Sequence, residues 1–187
     1  MAVPTTGRKT KMNSNGSMGL QSVVEHLEKH SLKHAVDLEA GLVRTSFEMT
    51  NVKFSCLIEA NDQDDLVQFT AMIPLQVPCG KRRDACELLA LINWRLALGQ
   101  FQMDLGDGEL RFQASVPYPQ GELADAVIRQ LVIRCAFPVN VFYPAIAGVA
   151  FGGKSPEAAF DAAIARAQSA AEGEGAAVAD KPRVELN

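Results

Sequence analysis

The sequence predicts an α+β domain: a five-stranded antiparallel sheet with helices packed on one face, in the order α-βββ-α-ββ-ααα. Three observations lead there. Five segments alternate apolar and polar residues, as strands do when one face meets a core and the other meets water or a partner. The segments around them repeat apolar residues every three or four positions, as amphipathic helices do. Clusters of Asn, Asp, Gly and Pro mark the junctions.

Leu20–Val36 is predicted to be the first helix, with Leu20, Val23, Val24, Leu27 and Ala35 on one side. The period then changes to two. Val43, Phe47 and Met49 alternate with Arg44, Ser46 and Glu48. Val52, Phe54, Cys56 and Ile58 alternate with Lys53, Ser55, Leu57 and Glu59. Val67, Phe69, Ala71 and Ile73 alternate with Gln68, Thr70 and Met72. Thr50–Asn51 and Asn61–Asp64 supply the turns. Residues 82–98 form the next helix, with Ala85, Leu88, Leu89, Ile92 and Leu96 as one stripe and Leu91, Trp94 and Leu98 as a second. A helix apolar on two sides needs two covers, so the second stripe requires another helix or another subunit. Gly99 ends that helix. A hairpin follows, turning at Gly106-Asp107-Gly108 between Phe101–Leu105 and Leu110–Val116. Residues 122–136 are helical, a kinked helical segment runs on to about Phe151, and Ser155-Pro156-Glu157 starts a last helix to about Ala171.

The chain has 187 residues and a formal charge of −4, with 48% apolar and 21% charged residues. That suits one soluble domain between tails, 20–171, and argues against a dedicated nucleic-acid binder, which is usually basic. Residues 1–19 form a basic arm and 172–187 a polar tail; neither has periodicity, and both read as disordered. The four cysteines, Cys56, Cys79, Cys86 and Cys135, form no CxxC pair, which fits reduced thiols in the cytoplasm. The first 19 residues contain no apolar secretory core. Residues 135–153 carry no charge, but Pro138, Asn140 and Pro144 interrupt the run, so a buried interrupted helix is expected and no membrane insertion.

Two stretches resemble a known family. One is Leu91–Asp104 (LINWRLALGQFQMD) followed by Asp107–Phe112 (DGELRF); the other is Gly152–Ala159 (GGKSPEAA). With the element order over about residues 20–170, they resemble the YbjN family, related in fold to the CesT-like type III secretion chaperones. The resemblance implies helices on one side of an antiparallel sheet and a noncatalytic role, binding a protein or peptide client or regulating through such binding. It also implies homodimers, common in the secretion-chaperone branch. The extra C-terminal helices depart from that branch, so no secretion role is assigned. On this reading the candidate partner face is the free side of the sheet, with Arg44, Glu48, Gln68, Gln102, Arg111 and Gln113. The candidate dimer seam is Leu91, Trp94 and Leu98.

Competing constellations are weaker. Gly148–Ser155 satisfies the P-loop pattern, an alternative that would make the chain nucleotide-responsive, but no buried strand feeds it. His26, His30 and His34 recur every four residues without a carboxylate at a telling spacing, so no metal is assigned. Asp104, Asp107 and Glu109 sit in a turn too short for a calcium loop. Lys81-Arg82-Arg83 opens a helix, where positive charge is disfavoured; it reads first as a solvated junction, with contact to an acidic partner as the alternative. Cys79 and Cys86 lie beside that basic run but have no base partner, and no catalytic residue or cofactor site emerges. A third possibility is a permanent subunit whose free face is always covered.

Overall fold

Residues 17–118 and 123–174 are described by a computed structural model. Almost all of the predicted basic arm and C-terminal tail lie outside those residues. Helix α1 (Met18–Lys29) precedes β1 (His34–Asp37), β2 (Leu42–Glu48), β3 (Lys53–Asn61) and β4 (Leu66–Gln76). A 3-10 turn at Cys79–Lys81 leads into α2 (Arg82–Arg95), then β5 (Gln100–Met103), β6 (Glu109–Pro117), α3 (Asp125–Ala150) and α4 (Pro156–Glu174). The strands form one antiparallel sheet in the order β1-β2-β3-β4-β6-β5.

The sheet therefore has six strands, where the sequence pattern gives five. The predicted first helix is two elements. It stops at Lys29, and residues 34–37 pair with β2 instead. The stop is a Schellman turn: Leu32 N–H donates to Leu27 O at 2.8 Å and Ser31 N–H to Glu28 O at 2.9 Å. Ser31 occupies the left-handed position, φ 56°, that glycine usually fills. Without that glycine the stop leaves no mark in the sequence.

Two further boundaries differ. α2 ends at Arg95 because Leu96 is extended, ψ 129°, so Leu96 and Leu98 leave the helical stripe and pack partly on the core. α3 is one helix of 26 residues running through Pro138 and Pro144, not two helical pieces. Proline at position 144 deprives the Asn140 carbonyl of its helical donor. Asn51, in the β2–β3 turn, replaces it: its Nδ2 donates to Asn140 O at 3.0 Å, and its backbone N–H donates to Asn140 Oδ1 at 2.9 Å. The tertiary bond lets the proline stay in the helix.

The inner sheet face contributes Val43, Phe47, Phe54, Cys56, Ile58, Phe69, Ala71 and Phe112 to the core. α3 packs on β4 and β6 and touches α1, α2 and α4. It is long and apolar enough to cross a membrane, yet half of its most apolar window is buried here, where Leu131, Cys135, Val139, Phe142 and Ile146 join the core. α4 packs on α2 and α3, with Phe160 stacked on Phe142 at 6.4 Å. α2 therefore meets α4 as well as α3, while Trp94 of its second stripe stays exposed.

Candidate binding face

Alternation and register fix what the opposite sheet face presents. One row across the strands runs Ala35, Arg44, Leu57, Thr70, Gln113, Gln100. The next runs Ser46, Ser55, Met72, Arg111, Gln102, and a third Leu42, Glu59, Gln68, Ser115. Glu48 and Lys53 face each other at the end of β2 and β3. All six residues predicted for the partner face, Arg44, Glu48, Gln68, Gln102, Arg111 and Gln113, therefore project from the side away from the core.

Two bases on this face meet acids within it, while Arg111 and Glu59 are held by neutral amides. Arg44 reaches Asp37 at 3.4 Å, Lys53 reaches Glu48 at 3.1 Å, and Arg111 Nε donates to Gln102 Oε1 at 2.7 Å. Gln68 donates to Glu59 at 3.0 Å and accepts from Ser115 at 3.2 Å. Asp37 is held below the usual carboxylate value, chiefly by the backbone N–H of Ala40, against a smaller upward push from burial. The result is a broad surface of amides, hydroxyls and neutralised pairs around half-buried Leu57 and Met72. Shallow hollows are lined by Gln102, Met103, Asp104, Glu109 and Arg111, and by Gly99, Gln100, Gln102, Gln113, Ala114 and Ser115. Such a surface offers hydrogen-bond partners and some apolar contact without a strong field.

The outer edge of β5 is not open to an added strand at its middle. The Asn93 amide donates to Phe101 O at 3.0 Å and accepts from Phe101 N–H at 2.8 Å, so α2 plugs the edge. The predicted dimer seam is also divided. Leu91 and Leu98 are half-buried, whereas Trp94 is 89% exposed.

The competing constellations take definite places. Gly148–Ser155 is the joint between two helices: Gly152 and Lys154 N–H both donate to Gly148 O, and Ser155 Oγ accepts from Ala158 N–H. Those two amides are consumed by the end of α3, and no strand feeds the turn, so it lacks the architecture of a phosphate loop. In the β5–β6 hairpin, Asp104 accepts from Gly106 N–H and Asp107 from Glu109 N–H. Arg82 donates to the Leu105 and Gly106 carbonyls at 2.8 and 2.9 Å, and Lys81 pairs with Asp84 at 2.9 Å. Arg82 thus holds the hairpin, Lys81 pairs within its own helix turn, and Arg83 makes no side-chain bond to the described residues. Gly108, at φ 88°, is required there: a Cβ would lie 2.1 Å from Val77 O. Cys56 and Cys135 are buried, and burial pushes their thiols up, that of Cys135 to about 12. Cys79 and Cys86 are exposed.

The histidines are split. His34 lies on β1 with Nδ1 2.9 Å from Leu32 O. His26 is buried, its Nδ1 2.6 Å from Asp125 Oδ1, and Lys29 Nζ is 3.1 Å from Asp125 Oδ2. Those two hydrogen bonds hold the Asp125 carboxyl down at about 2. Asp125 escaped notice in the sequence because it stands 99 residues from His26.

A family model described as "YbjN: Putative bacterial sensory transduction regulator" matches residues 20–146. The fold is similar to the crystal structure of YbjN from E. coli, with TM-score 0.50 and 17% identity, over 65% of this chain and 88% of that one. A chain of the HopA1–SchA chaperone–effector complex matches with TM-score 0.48 and 12% identity, over 68% of this chain and 94% of the other. No curated protein matches the chain. At 17% identity the likeness to YbjN speaks for architecture alone.

Proposed function

The chain belongs to the YbjN family, and we propose that it acts as a noncatalytic binding module, docking a protein or peptide client on the sheet face opposite its helices. The observation that carries this reading is the face itself: six strands wide, uncovered by any described helix, with two of its bases in ion pairs and centred on Leu57 and Met72. A binding surface for polypeptide gains from groups that meet backbone amides and from apolar contacts at its centre, while charged residues are depleted there. The module works in the cytoplasm, where its free thiols persist.

The test is quantitative capture by the intact chain and by a Ser55→Glu/Gln113→Glu variant. Each new carboxylate lies two residues from a base on its own strand, Lys53 or Arg111, so the fold should change by less than about 0.5 kcal/mol. Acids at both Gln102 and Arg111 are a poorer probe, because those residues pair directly across strands and like charges there destabilise. A specific partner retained by the intact chain and lost by the variant supports the face. Equal retention moves the site elsewhere.

Self-association through Trp94 is a second reading, favoured by the 89% exposure of that ring. Sedimentation of Trp94→Ala tests it: a dimer that becomes a monomer supports the seam, and an unchanged mass removes it.

A further inference from the structure

We propose that His26, His30 and Asp125 form a site for a divalent first-row cation of the zinc class. α1 places His26 and His30 four residues apart, hence on one helix face. Packing of α1 on α3 brings in Asp125, the first residue of α3. One ligand atom from each residue then lies within 4.8 Å of the other two. The imidazole rings are 4.5 Å apart, and His26 already contacts the carboxylate at 2.6 Å.

The chemistry of the donors selects the ion. Two imidazoles and one carboxylate suit zinc, cobalt or nickel, whereas calcium and magnesium prefer oxygen throughout. Bond lengths near 2.0–2.1 Å in a tetrahedron put neighbouring donors about 3.3 Å apart. His30 and Asp125 are exposed, so rotamer changes can bring His30 in and draw Asp125 back from its 2.6 Å contact, while buried His26 anchors the site. Lys29 competes for Asp125, but its side chain is 64% exposed and can swing into solvent. Three protein donors leave a coordination position for water or an outside ligand. A bound cation would tie α1 to the start of α3, and binding confined to the folded state raises its stability by mass action. His34 on β1 takes no part.

The experiment uses the full chain, stripped with chelator and titrated with zinc by calorimetry and with cobalt by visible absorption. The expected result is one equivalent bound, a higher thermal midpoint, and a cobalt spectrum without thiolate charge transfer. His30→Ala and His30→Gln should each weaken affinity by at least about tenfold. Because His30 is exposed, their unliganded melting should stay close to that of the intact chain. A Cys79→Ser/Cys86→Ser variant should bind as the intact chain does. No binding by the intact chain, unchanged affinity in both His30 variants, or loss in the cysteine variant would each overturn the site.

Discussion

Asp62 gathers four donors, three from the start of α1 and one from Tyr118 after β6. Ser17 Oγ and Met18 N–H reach it at 2.7 Å, Tyr118 Oη at 2.8 Å and Gly19 N–H at 3.1 Å. The carboxylate of the β3–β4 turn thereby caps α1 and satisfies a buried tyrosine. Burial raises the Asp62 pKa, but the hydrogen bonds from Ser17, Tyr118, Gly19 and Met18 outweigh it and hold the group below its ordinary 3.8. Its contribution is fully present above that ordinary value and is lost as pH falls through the lower folded-state value. Asp62→Asn should cost about 2 kcal/mol near neutral pH in urea melts, with the gap from the intact chain narrowing in acid. Equal midpoints at neutral pH would contradict this. Ser31 is a simpler case: replacing it by glycine at φ 56° should stabilise the chain by about 0.5–1 kcal/mol, and a lower thermal midpoint would count against the Schellman turn. Neither residue was legible in advance. Asp62 reads locally as a turn residue, and its partners are 43 to 56 positions away.

At the scale of elements, strands were the most legible because alternation is local. Two of the missed features, β1 and the unbroken α3, depend on bonds the pattern does not contain. β1 needs the stop at Ser31, and α3 needs Asn51 to serve the carbonyl that Pro144 frees. Asn51→Ala should therefore destabilise by about 1 kcal/mol, seen as a lower urea midpoint and faster amide exchange around Pro144. Asn93 has the larger role. Truncation to alanine leaves the Phe101 N–H and carbonyl without partners, at a cost of about 1–3 kcal/mol, and opens the β5 edge. Asn93→Ala should melt earlier and aggregate on heating; unchanged melting would show that water replaces the plug. The stretch most like the family, from Leu91 to Phe112, is thus a fastening of α2 to a hairpin. Asn93 binds the β5 backbone, Asp104 and Asp107 close the turn, and Arg82, upstream of the stretch, binds the turn carbonyls.

At the scale of the molecule, one sheet face carries the helices and the other carries the proposed function. The composition of that outer face followed from alternation alone, since residues two apart share a side whatever the strand order. The ion pair Arg44–Asp37 did not, because it spans β1 and β2, and β1 was read as helix. On the second stripe of α2, Leu91 is half-buried and Trp94 exposed, while Leu98 lies past the end of the helix, a split that periodicity does not reveal. The most direct measurement is site-specific photocrosslinking of the intact chain in native lysate. A photoreactive side chain would be placed at Leu57, Gln113 or Trp94 in turn. The binding-face account predicts discrete heteromeric adducts from Leu57 and Gln113 and none of those species from Trp94. Adducts formed from Trp94 alone, with the two sheet positions silent, would contradict it.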